Sequence, residues 1–295
     1  MKKTKLNLKE EKLSGFLVTT DRKKLWACEL DLLEQLDAVC KKHHINFFLI
    51  GGTMLGAIRH KGFIPWDDDI DVAMLREDYD KLLKIADKEF KKPYFLATSL
   101  NDKHFIGHAQ LKNLNTAAIS EEEKYLDYKK CIFIDIFVFD KVSEDEKERN
   151  KQKKQLKFYN MLLRGYYFAE SPTKSLSSKV FRFGMRIYKK FVSFEKLYRK
   201  YEKIATRFNN TDTSLVSNPL FYVCYDKDTA KYDDLKDLVD CKFEYLTVKI
   251  PRTYDDILTR QYGDYMKPVI GTQLHSIETF DTEKSYTEYL KGKEK

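Results

Sequence analysis

Gly51-Gly52-Thr53-Met54-Leu55-Gly56-Ala57-Ile58-Arg59-His60-Lys61-Gly62-Phe63-Ile64-Pro65-Trp66-Asp67-Asp68-Asp69-Ile70-Asp71 carries a glycine turn, a short basic helix and a cluster of four aspartates ahead of a strand. Asn46-Phe47-Phe48-Leu49-Ile50, just before it, has the apolar run of a short buried strand. The paired glycines allow backbone amides to approach a phosphate closely. Thr53 is placed to cap a helix over 53–59. Residues 70–74 form the next strand, and 77–90 a helix with Tyr79, Leu82, Leu83 and Ala86 on one face.

Side chains alternate along a strand. If strand geometry extends back through the aspartate run, Asp67, Asp69 and Asp71 share a face while Ile70 and Val72 point into the core. Hard cations such as Mg2+ or Mn2+ take several carboxylate oxygens together with phosphate oxygens and water. Like charges this close repel, so a cation is their natural compensation. Cys131-Ile132-Phe133-Ile134-Asp135-Ile136-Phe137-Val138-Phe139 is apolar on both faces except at Asp135, as in a central buried strand. A lone carboxylate there needs a partner. Beside the Ile70 strand, Asp135 completes a carboxylate triad; the other reading pairs it with a nearby Arg or Lys.

Two familiar motifs fail on the letters. A calcium EF-hand loop starting at Asp67 requires Gly at its sixth position and Glu at its twelfth, where Val72 and Asp78 stand. A Walker loop requires Lys-Ser or Lys-Thr after its second Gly, but Ala57-Ile58 follows Gly56.

Outside this block, 22–43 has apolar residues at helical spacing: Leu25, Cys28, Leu32, Leu36 and Val39. Weaker strands are expected at 94–97, 108–111 and 117–120, and a strong one at 131–139. Two long basic helices are expected at 144–168 and 178–208, split by Ser171-Pro172-Thr173. In the second, Phe183, Ile187, Phe191, Phe194, Tyr198 and Tyr201 form an aromatic stripe. Such a stripe packs on a core or lies on a membrane surface. Short mixed elements follow residue 210, ending with a helix and turn over 254–266. The expected organisation is a catalytic core over 1–142, a basic helical segment over 143–210 and a C-terminal part, 211–295, that completes the core.

A chain of 295 residues can bury a sizeable core. No apolar run reaches the roughly 18–20 residues of a membrane helix, and the charged start lacks a signal core, so a cytoplasmic protein is expected. The five scattered cysteines lack CxxC spacing and are expected to be reduced core thiols. The net charge of +8 is uneven. Residues 149–207 hold 17 Lys or Arg against 3 Glu, a balance of +14, which leaves −6 for the rest. The basic segment is either a solvated helix face or a surface for an anionic partner.

These residues resemble the LicD family of phosphotransferases, within the nucleotidyltransferase-fold superfamily and related to the fukutin-related group. The resemblance rests on Gly51 to Val72, on Phe133-Ile134-Asp135-Ile136-Phe137 with Asp140, and on Pro251, Tyr254-Asp255, Tyr262-Gly263-Asp264-Tyr265-Met266 and Pro268. Val138 and Val269 stand where the family often has proline, and the approach to His275 lacks the usual charges. The resemblance implies an α+β nucleotidyltransferase-like mixed sheet with flanking helices plus a basic helical insertion. It implies transfer of phosphocholine, or a related alditol phosphate, from a CDP-activated donor to a sugar of teichoic acid, lipopolysaccharide or capsule. Asp69, Asp71 and Asp135 would be catalytic, and with Asp67 would hold Mg2+ or Mn2+. Gly51, Gly52 and Thr53 would face the donor phosphates, with Arg59 and Lys112 neutralising phosphate charge.

Asp135 would complete the metal shell or accept the hydroxyl proton. The expected partners are a CDP-linked donor, a glycan or lipid-linked glycan acceptor and an anionic membrane at the inner face of the cell; no nucleic-acid motif accompanies the basic segment. The rival readings are a DxD glycosyltransferase using a nucleotide sugar and an inactive metal- or glycan-binding module. The histidines show no metal spacing, and His60 and His275 are expected to be structural or substrate-orienting.

Overall fold

A computed structural model describes residues 5–102, 104–120, 126–173, 175–220, 225–269 and 279–293. A small hairpin, β1 (Glu11–Leu13) and β2 (Phe16–Val18), leads into α1 (Thr20–Lys42). The Thr19 hydroxyl caps that helix by accepting from the Arg22 amide, and Asp21 in the first turn and Lys41 and Lys42 in the last complement its dipole. Next come β3 (Phe48–Leu49), α2 (Gly51–Arg59), β4 (Asp71–Leu75), α3 (Arg76–Glu89), β5 (Tyr94–Ala97), β6 (Ala109–Asn113), β7 (Ala117–Ile119) and β8 (Phe133–Lys141).

The basic segment forms α4 (Glu146–Tyr167), α5 (Leu176–Tyr188) and α6 (Phe194–Ala205). The chain then adds β9 (Leu215–Ser217), α7 (Tyr225–Asp228), β10 (Ala230–Lys231), α8 (Tyr232–Lys236), β11 (Leu238–Phe243), β12 (Leu246–Pro251), α9 (Tyr254–Tyr262), β13 (Thr279–Asp281) and α10 (Tyr286–Lys293).

The result is an α+β fold around a mixed sheet. Its path runs β10-β9-β8-β4-β3, with β6 also on β8 and β5 on β6. The longest strand, β8, pairs parallel with β4 and antiparallel with β6. Ile134 and the run Ile136 to Phe139 are buried, so both faces are covered, as a central strand requires. The parallel register sets Asp71 opposite Asp135. One large apolar core joins this sheet to α1, α2 and the β11–β12 hairpin. A second, smaller core joins α4 and α6 through Leu156, Leu163, Leu197 and Tyr201.

Three local expectations change. The helix expected at 178–208 is two helices, because the chain leaves α5 at Lys189 and restarts at Ser193, whose hydroxyl accepts from the Lys196 amide. The aromatic stripe is divided accordingly: Tyr198 and Tyr201 are buried with Phe194 packed beside them, whereas Phe183, Ile187 and Phe191 are exposed. Finally, α2 begins at Gly51 rather than Thr53, and β4 begins at Asp71. Cys28, Cys40 and Cys131 are buried thiols, and burial pushes Cys28 and Cys131 up to about 12. Among the described residues, no helix is long and apolar enough to cross a membrane.

Candidate active site

The glycine turn is shaped by the carboxylates around it. Gly51 has φ +54°, a left-handed conformation that glycine adopts without steric cost. A Cβ on Gly52 would lie 2.8 Å from Asp67 Oδ2, so a side chain there would displace that carboxylate. The backbone thus passes beside Asp71 at Gly51 and, more tightly, beside Asp67 at Gly52. Thr53 lies one step further into the helix and is buried. Its hydroxyl accepts from the Asp71 amide at 2.8 Å, tying the first turn of α2 to the start of β4. Neither the expected helix cap nor a phosphate-facing position describes Thr53. It braces the site from behind.

The aspartate loop is held from the other side by α1. The Asp67 carbonyl accepts from Arg22 Nη1 at 2.7 Å and from Trp26 Nε1 at 3.0 Å. Trp26 is itself stacked on Phe63, with ring centroids 4.6 Å apart. With its backbone anchored, the loop turns Asp67, Asp69 and Asp71 toward one cleft. Alternate residues thus share a face although strand geometry starts only at Asp71. Asp68 is buried, and one oxygen each from Asp67, Asp68 and Asp69 lies within 4.8 Å of the others.

Asp135 sits one strand inward. It accepts from Gln110 Nε2 at 2.9 Å and meets His108 Nε2 at 2.6 Å. A carboxylate only accepts, which places the imidazole proton on Nε2. These partners replace the Arg or Lys of the alternative reading. Asp135 reaches the carboxylate group through its register with Asp71 and does not itself line the cleft.

The electrostatics follow from this crowding. Burial, then Asp69, Asp135 and Asp67, hold the Asp71 carboxyl well above the usual carboxylate range. Glu29 of α1, fully enclosed behind the loop, is raised by burial and then by Asp69, Asp68 and Asp67. Its Oε2 has no hydrogen-bond partner among the described residues. Tyr262 of α9 is pushed up to about 12 by burial and by Asp71 and Asp67. Carboxylate oxygens as close as those of Asp67, Asp68 and Asp69 could serve as donors to a hard divalent cation, and their chemistry fits Mg2+ or Mn2+.

The cleft encloses about 570 Å³. Gly51, Gly52 and the three aspartates form one end, and Trp66, Tyr262 and Tyr265 form aromatic wall. Arg59 lines it with Lys227, Arg260 and Lys267. Arg59 also donates to the Tyr265 carbonyl at 2.8 Å, binding α2 to the turn after α9. Lys112 is elsewhere: it is buried in β6, with its ammonium on Asp102 at 2.7 Å and on the Lys129 carbonyl at 3.0 Å. The structure does not bring it to the cleft. His60 packs edge-on to Trp66, and His275 lies outside the described residues.

Sequence reasoning missed four participants. Glu29 carried a signal, being a charged residue on the apolar face of a helix. His108 and Gln110 alternate on an expected strand, but only its pairing with β8 aims them at Asp135. Tyr262 stood in the third block of the resemblance without a role.

Residues 44–176 match the family model described as LicD/FKTN/FKRP, nucleotidyltransferase domain. The chain is 27% identical over 247 residues to the lipopolysaccharide cholinephosphotransferase LicD of Haemophilus influenzae, covering 81% of this chain and 88% of that protein. Shorter matches join it to two uncharacterized rickettsial proteins. One, of Rickettsia prowazekii, is 39% identical over 54 residues, 18% of this chain and 20% of that protein. The other, of Rickettsia typhi, is 40% identical over 47 residues, 16% of this chain and 15% of that protein.

Proposed function

Since residues 44–176 carry a LicD-family nucleotidyltransferase domain, we propose that this protein transfers phosphocholine, or a related alditol phosphate, from a CDP-linked donor to a sugar hydroxyl of a surface glycan. The observation that carries the reading is the carboxylate face of Asp67, Asp69 and Asp71 directly beside the Gly51-Gly52 turn in one cleft. The name of the Haemophilus relative supports phosphocholine as the group moved and lipopolysaccharide as the acceptor.

Asp67, Asp69 and Asp71 would hold Mg2+ or Mn2+, which when bound neutralises charge on the donor diphosphate and on the attacked phosphorus. The N-terminal amides of α2 point positive partial charge at the same phosphates. Arg260, Lys227 and Lys267 supply further positive charge along the wall. The sugar hydroxyl attacks phosphorus in line, the bond to the CMP oxygen breaks, and CMP leaves. Asp135, oriented by His108 and Gln110, either completes the ligand set or takes the hydroxyl proton. Asp135→Asn separates these roles: rescue by excess metal marks a ligand, and loss at every metal concentration marks a base.

The test is product release with CDP-choline, CDP-ribitol, CDP-glycerol and UDP-glucose in parallel, each with Mg2+ and Mn2+. CMP from one CDP donor, abolished in Asp69→Ala, is the expected outcome and names the head group. UDP release alone would replace this reading with the glycosyltransferase. Metal-dependent thermal stabilisation without turnover of any donor would leave a binding module.

A further inference from the structure

The α5 helix meets the rest of the protein by one narrow face. Met185 is buried there, and Phe181 and Met185 close over Gly165 of α4, where a Cβ would come within 2.5 Å of the Phe181 ring. Directly opposite, Leu176, Val180, Phe183 and Ile187 follow one another at steps of four, three and four, a single stripe along a helix. They are 77%, 67%, 62% and 45% exposed, and Phe191 in the next turn is 80% exposed. On α4, Phe158 and Met161 share the stripe of Gly165 and are also exposed.

The charge around the stripe is strongly basic, with Glu170 as an acidic neighbour 3.2 Å from Arg186 and 3.5 Å from Lys189. Residues 171–194 contain six Lys or Arg and no Asp or Glu. Lys179 and Lys190 are exposed beside the stripe. Arg182 and Arg186 use part of their guanidinium groups on the carbonyls of Ala169 and Pro172. Their stems lie along the same helix and can cover apolar surface while the heads stay in a polar layer.

We propose that α5 is a membrane-surface helix that docks the protein on an anionic bilayer, its stripe below the headgroups and its lysines among them. A second copy of this chain fits poorly. A two-fold contact through the stripe would bring two strongly basic segments together, six Lys or Arg over 171–194 in each, with Glu170 offsetting part of that charge. A bilayer carrying anionic headgroups supplies both the apolar layer and the opposite charge. This surface is separate from the cleft and does not depend on the phosphotransfer reading, since its assay contains no donor.

The experiment is co-sedimentation of the full chain with vesicles of phosphatidylcholine alone and of phosphatidylcholine with phosphatidylglycerol. Binding to the anionic vesicles should be at least about tenfold stronger and should weaken as salt is raised. The double variant Phe183→Glu, Ile187→Glu should lose about tenfold or more of that binding. Its circular dichroism and thermal midpoint should not change, because both side chains are exposed. A second variant, Leu176→Ser with Val180→Ser, removes apolar area without adding charge and should also weaken binding. Equal binding to both vesicles, no binding, or variants that bind like the parent would each overturn the proposal. So would a dimer, seen by analytical ultracentrifugation, that the glutamate variant dissociates.

Discussion

The protein gathers like charge in two places and treats it in opposite ways. At the cleft, Asp67, Asp69, Asp71 and Asp135 are drawn together by a strand register and by a loop anchored on α1. In the helical segment, basic residues such as Lys151, Lys154, Arg164, Lys179, Lys196 and Lys200 stand exposed on α4, α5 and α6. Enclosed carboxylates crowd like charge out of water, holding Asp71 above its usual range, and call for a compensating cation. Exposed lysines are solvated, screened by salt and cost the fold little. The same kind of crowding therefore makes a candidate ion site in one region and a solvated surface in the other, and burial makes the difference.

The largest effect should come from the joint between the two regions. Asp140, near the end of β8, is buried and takes two hydrogen bonds from Arg76 of α3, at 2.7 and 2.6 Å, and one from Asn209. Asp140→Asn takes from the half-buried Arg76 guanidinium its principal counter-charge, leaving Asp80 at 3.4 Å and Glu202 at 3.8 Å, and should lower unfolding free energy by about 3 kcal/mol in urea titrations. Loss of under about 1 kcal/mol would mean that the joint is open to water.

Asp71→Asn should reduce transfer by about a hundredfold to a thousandfold, the range for removing one group that stabilises developing charge. Its thermal midpoint in chelator should stay level or rise, because a disfavoured buried charge has gone. Turnover near that of the parent enzyme would remove Asp71 from the ligand set.

Glu29→Gln tests the enclosed field directly. The fold favours protonated Glu29, so its contribution to stability is full below the ordinary glutamate value near 4.3 and is lost as pH rises toward the raised folded value. Glutamine mimics the protonated form. The variant should therefore melt higher than the parent near neutral pH, with the gap closing as pH falls through about 4.3. A gap that is constant with pH would contradict this account.

The smallest effect belongs to the exposed charge. Lys196→Ser with Lys200→Ser on α6 should change stability by no more than about 0.5 kcal/mol. A larger change would show that these lysines are part of the fold rather than of its surface.

The acid face was legible because its signal is local. A glycine pair, an alternating aspartate run and one carboxylate in an apolar strand lie in plain order along the chain. What escaped depends on distant partners. Thr53 resembles a helix cap, but the left-handed Gly51 starts the helix two residues earlier and leaves the hydroxyl facing the Asp71 amide. Lys112 resembles a phosphate ligand until Asp102, from another loop, claims it. The helix break was hidden by the stripe itself, which keeps helical spacing from Phe183 to Tyr201 across the turn. Only the Ser193 cap marks the restart.

The cleft has a timetable. Its carboxylates stand by residue 135, but much of its wall, including Lys227, Arg260, Tyr262 and Tyr265, comes from the last part of the chain. Synthesis at about 5–20 residues per second separates Asp135 from Tyr265 by roughly 6–26 seconds. During that interval the nascent protein carries an acidic, half-walled groove. A chain stopped after α6 would lack that wall and the β11–β12 hairpin of the main core, so the cleft closes only when the C-terminal part of the chain has been made.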